Sequence, residues 1–146
     1  MRNISEDVNK TKPFSNIKVL TYKFVAEFGE SRTTTGKSNE IETKKDDSFN
    51  SIETSLTYIR SKKDKSEGTY IGNQGSGDVT VIDGNDCVSF LEIVGAGYCQ
   101  QLIVTNIWNK NKGAFVAVYT RTVTFEFGEK YFVSTTTYNG IAIPWD

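Results

Sequence analysis

The stretch Ala114-Phe115-Val116-Ala117-Val118-Tyr119-Thr120-Arg121-Thr122-Val123-Thr124-Phe125-Glu126-Phe127 carries the clearest structural signal in the chain. Phe115, Ala117, Tyr119, Val123, Phe125 and Phe127 recur on one side at period two, which predicts a long strand with a strongly apolar face. Polar Asn109 to Gly113 predicts a turn before it, and Gly128-Glu129 turns the chain back into a strand over Lys130 to Thr137. The same alternation runs from Ile17, where Leu20, Tyr22, Phe24, Ala26 and Phe28 share a face, until Gly29-Glu30 suggests a turn. Cys87 to Val94 and Tyr98 to Trp108 read as two buried strands around the Gly95-Ala96-Gly97 turn.

Weaker signals fill the gaps. Asp78 to Ile82 predicts a strand, followed by a hairpin turn at Asp83-Gly84-Asn85-Asp86, because Gly and Asn tolerate positive φ. Ile52, Thr54, Leu56 and Tyr58 form another inward face. Residues 31–51 read as short edge strands and loops, with a short helix expected within 43–56 if anywhere. Ser61 to Gly68 reads as a charged loop and Gly72 to Gly77 as a flexible one. Near the end, Ile141-Ala142-Ile143 is a short strand, and Pro144 stops its pairing. Turn signals thus recur at roughly 8–12 residues, the spacing of a sandwich or barrel. The expected fold is all-β: an antiparallel β-sandwich of about nine to ten strands over 17–146, preceded by a polar tail at 1–16.

Composition narrows the function. The chain has 146 residues, 37% hydrophobic and 12% aromatic, enough for one packed core. Its 17 basic and 18 acidic residues leave a net charge of −1, which argues against a nucleic-acid partner. Histidine is absent, so Ser-His or Cys-His nucleophile pairs and His-ligated metals are excluded. Cys87 and Cys99 form neither a redox pair nor a metal set; two buried thiols are expected, with a disulfide as the alternative. No signal-peptide pattern or membrane-length apolar run appears, so the expected location is cytoplasmic, or outside the cell by a non-standard route.

No catalytic constellation emerges. Asp83, Asn85 and Asp86 lack the regular alternate ligands of a calcium loop and read as a hairpin tip. Glu40 and Glu42 share one strand face and do not converge across a cleft as a glycosidase pair must. The glycine stretch at 72–77 lacks the Gly-Lys-Ser/Thr ending of a phosphate loop. The chain is therefore expected to be non-enzymatic, with no cofactor and no bound metal. Aromatic side chains are the more informative set: Tyr98, Trp108, Tyr119, Tyr131, Tyr138 and Trp145 fall at or near strand ends. Tyrosine and tryptophan offer a flat surface to the C–H face of a sugar and also suit the water–lipid boundary.

A family pattern runs through the middle of the chain. Gly75-Ser76-Gly77 precedes a strand, Ser89-Phe90-Leu91 follows a turn, and Tyr98 and Ile103-Val104-Thr105-Asn106 come after the glycine turn. With Ile17-Lys18-Val19 opening a first strand, this order resembles the fungal fruit-body lectins and, more distantly, the sea-anemone actinoporins. The resemblance covers 17–28 and 72–119. It implies a β-sandwich that attaches to cell surfaces through a glycan or phospholipid headgroup, as a lectin or toxin component does. It places Ser76, Gly77, Tyr98, Thr105 and Tyr119 at the ligand groove; Trp108 joins them on aromatic grounds. The lectins carry a histidine before the Tyr98 position and an Asp where this chain has Leu102, and the apolar N-terminal helix of the actinoporins has no counterpart in 1–16. The alternative expectation is a self-assembling subunit, a homo-oligomer joined through edge strands or the tail.

Overall fold

The computed structural model describes residues 21–37, 40–46, 55–72, 75–95 and 97–145. Nine strands account for most of them: β1 (Thr21–Lys37), β2 (Glu40–Asp46), β3 (Ser55–Arg60), β4 (Glu67–Gly72), β5 (Gly75–Asp83), β6 (Cys87–Ile93), β7 (Tyr98–Asn109), β8 (Ala114–Phe127) and β9 (Lys130–Trp145). Every pairing is antiparallel, and there is no helix among the described residues. The expected tail at 1–16 and the middle of the expected helix region lie outside the described residues.

The sandwich expectation needs correction. Strands β3 to β9 follow one another in a meander, and β9 returns to pair with β1 from Thr21 to Gly36. That pairing closes eight strands into an up-and-down barrel, with β2 as one additional strand. Closure leaves one interior instead of two facing sheets. An eight-stranded barrel has an interior about wide enough for side chains to fill. Tyr22, Phe24, Tyr58, Phe90, Leu102, Val104 and Phe115 fill it here, essentially inaccessible to solvent. Their rings meet at angles: Tyr22 and Phe90 lie 5.9 Å apart edge to face, and Tyr58 and Phe90 5.3 Å apart.

Local expectations divide in the same way. The strand over Ala114–Phe127 appears as read, and Gly113 and Gly128 take the positive φ that their turns demand. Gly29-Glu30 makes no turn; β1 runs on to Lys37 beside β9, with a bulge between Ala26 and Phe28. The flexible loop expected over Gly72 to Gly77 is narrower than read, since β4 runs to Gly72 and β5 starts at Gly75, and 73–74 lie outside the described residues. Strand β9 continues through Gly140 and Pro144 as one element. Cys87 and Cys99 are both half-buried and unbridged. Cys87 pairs with Thr105 and Cys99 with Ile93, at opposite ends of the β6–β7 ladder. That separation is roughly 20 Å at the rise of a strand, far beyond the reach of a disulfide.

At one end, here the upper end, β1, β8 and β9 outrun the other barrel strands. With β2 they form a flap of order β2-β1-β9-β8 standing above the barrel mouth. At the lower end Arg60, itself 8% exposed, holds the Asp83 carboxylate through two nitrogens at 2.9 and 2.6 Å and donates to the Lys65 carbonyl at 2.6 Å. This fork ties the β3–β4 connection to the end of β5.

Candidate functional site in the upper barrel mouth

Strand parity decides which side chains face inward. On β6 these are Val88, Phe90 and Glu92; on β7 they are Tyr98, Gln100, Leu102 and Val104. Two polar residues therefore sit on otherwise apolar faces, Glu92 at 7% and Gln100 at 2% exposure. They lie directly opposite one another, and the register carries the same belt onward to Arg121 and Thr136, ending at Ser31 on β1. A buried carboxylate is costly unless hydrogen-bonded. The Gln100 amide nitrogen donates to Glu92 Oε1 at 2.8 Å, and the Tyr119 hydroxyl donates to Gln100 Oε1 at 2.7 Å. The Tyr70 phenol lies close enough to interact with both Glu92 and Gln100.

The surrounding geometry shapes this network. A Cβ at Gly77 would meet the Glu92 carboxylate and, at 2.8 Å, the Tyr70 ring. Glycine at 77 is thus what lets these two groups sit against β5. Tyr119 stacks on Tyr138 with centroids 6.1 Å apart, which fixes its hydroxyl over Gln100. Tyr58 lies beside Tyr70, and its buried hydroxyl has no hydrogen-bond partner. Burial raises the Tyr58 phenol well above its usual range, and Tyr119, Tyr70, Tyr98 and Glu92 push it the same way. Tyr70 is raised as well, first by burial and then by the Glu92 charge.

Three of the six residues singled out from the sequence meet here. Gly77, Tyr98 and Tyr119 all border the upper mouth, the last two on its inner wall. Ser76 is exposed on the outer face of β5. Thr105 lies near the lower end and donates to the Val116 carbonyl at 2.7 Å. Trp108 packs at the lower end against Phe115, with centroids 5.0 Å apart. The sequence reading overlooked Glu92, Gln100, Tyr70 and Tyr58. The signal for the first two was present: each is a polar residue at an inward parity position in a strand that is otherwise apolar inside.

The belt can accept hydrogen bonds through Glu92 and donate and accept them through Gln100 and the phenols. No group of three or more metal-ligating side chains occurs among the described residues. Elsewhere, an open groove of about 600 Å³ runs along the outer wall of β3 to β6 between Ile59, Thr69, Asp78 and Ile93. It is lined by no comparable hydrogen-bonded network of side chains among the described residues. The chain matches no protein-family model, no curated protein and no solved structure.

Proposed function

We propose that the chain is a non-enzymatic recognition domain that attaches to cell surfaces by taking a sugar ring of a glycan into the upper barrel mouth. The observation that carries this reading is the Glu92–Gln100–Tyr119–Tyr70 network, with the unpartnered Tyr58 hydroxyl beside it. A sugar needs hydroxyl acceptors and donors on its rim and an aromatic surface against its C–H face. Glu92 and Gln100 supply the first, and Tyr98 and Tyr70 are positioned to supply the second. The carboxylate is the strongest acceptor of the set, since a charge-assisted hydrogen bond has about twice the strength of a neutral one. With no histidine in the chain, the belt is better suited to holding a ligand than to transferring its protons.

A glycan array followed by calorimetric titration tests this. At least one glycan class should bind, Glu92→Gln and Tyr98→Ala should each weaken it about tenfold or more, and Thr105→Ala should leave it unchanged. A silent array would overturn the reading. So would a loss caused equally by Thr105→Ala, or binding confined to phosphatidylcholine liposomes.

A further inference from the structure

Among the described residues the flap ends in an open edge. In the sheet order β2 is terminal, with β1 on one side and no strand on the other among the described residues. Every second residue of such a strand turns its backbone N–H and C=O outward, and proteins usually guard these groups with charge. The sequence Glu40-Ile41-Glu42-Thr43-Lys44-Lys45-Asp46 is charged, but its charges follow a pattern. Glu42 and Lys44 flank Thr43 with opposite signs on one face, their side chains 70% and 81% exposed and only loosely paired with each other at 3.8 Å, which leaves both able to turn to charges across the edge.

We propose that β2 pairs antiparallel with β2 of a second copy about a two-fold axis at Thr43, joining the two flaps into one continuous sheet. In this register Glu42 of each copy stands directly opposite Lys44 of the other, which makes two ion pairs beside the axis. Ile41, itself 79% exposed, lies opposite the second copy's Lys45 and receives its aliphatic stem. The Lys45 ammonium remains near Glu30 of its own chain, 3.6 Å away. Only Glu40 and Asp46 meet as like charges, at the ends where twisted strands splay. A two-fold axis at Glu42 or at Lys44 would put like charges face to face on the axis, which destabilises a cross-strand pair. The charge pattern therefore selects one register and one partner, an identical chain. The inference stands apart from the sugar reading, since it uses no residue of the barrel mouth.

Charge reversal provides the test, because the pattern is its own complement. Sedimentation equilibrium of the full chain at low salt should give a dimer. Glu42→Lys alone and Lys44→Glu alone should each weaken it roughly ten- to thirtyfold, as two attractive pairs become repulsive. The two single variants mixed should recover a heterodimer, and the double variant Glu42→Lys/Lys44→Glu should dimerise like the native chain. Circular dichroism checks that each variant is folded. In a Cys87→Ser/Cys99→Ser background, Thr43→Cys should give a disulfide-linked pair and Ile41→Cys should not, since only position 43 meets itself. A monomer at every concentration up to about 1 mM would overturn the proposal. A dimer or larger species indifferent to both single reversals would do the same, by placing the contact elsewhere, such as the flap face bearing Phe125 and Phe127.

Discussion

Glu92 and Tyr58 present opposite solutions to the burial of a polar group. Glu92 accepts a hydrogen bond from Gln100, whereas the Tyr58 hydroxyl bonds to nothing. An unmade buried hydrogen bond costs more than a made one contributes. Tyr58→Phe should therefore leave the protein as stable as before or up to about 1 kcal/mol more stable in urea unfolding, despite deleting a polar atom from its centre. Gln100→Leu should cost about 2–4 kcal/mol in the same measurement, because it strips one partner each from Glu92 and Tyr119. The tyrosines also set an alkaline limit. Tyr58 and Tyr70 have folded pKa values above the ordinary phenol value near 10. Their contribution is complete below that value and is lost as the pH rises above it, where only the unfolded chain releases the protons. Absorbance at 295 nm should show their ionisation coinciding with unfolding instead of preceding it.

Elements differ in how much their own residues dictate. Glu-Phe-Gly-Glu occurs at 27–30 and again at 126–129. The second copy makes the β8–β9 turn with Gly128 at φ 64°, but the first lies within β1, where the Tyr138 ring covers Gly29. A neighbour distant in sequence, not the tetrapeptide, decides between them. Strand β4 was invisible for a related reason: its inward positions are Gly68, Tyr70 and Gly72, so the apolar alternation that marks a strand is missing. Glycine is required at Gly140, where β9 crosses the β1 bulge. A Cβ there would press on backbone, reaching 2.9 Å from the Ala26 Cα and closer still to the Val25 carbonyl. Gly140→Ala should lower stability by about 3 kcal/mol in thermal melts, whereas Gly128→Ala, with open space around it, should cost about 1 kcal/mol for its positive φ alone.

Across the whole molecule, most of the strands were legible and their closure was not. Tyr22, Phe24 and Ala26 alternate identically whether β1 edges a sandwich or seals a barrel, since period two reports a buried face and says nothing of which strand lies alongside. The β1–β9 ladder that distinguishes the two architectures joins the first and last described strands. Half of the candidate site was legible for the same reason. Tyr98 and Tyr119 were marked by their own chemistry, while Tyr58 and Tyr70 join the belt only because the meander curls β3 and β4 around to face β7.

That ladder also governs how the molecule must be made. Synthesis proceeds from the N-terminus, so β1 is produced long before its partner on the β9 side exists. Until residues 130–145 have emerged, the nascent chain is a curling ribbon with two unsealed margins, and neither its aromatic interior nor its polar mouth is complete. Closing the barrel then amounts to drawing one seam shut once β9 has been made, and the interval before it is when the polypeptide most needs protection from its neighbours.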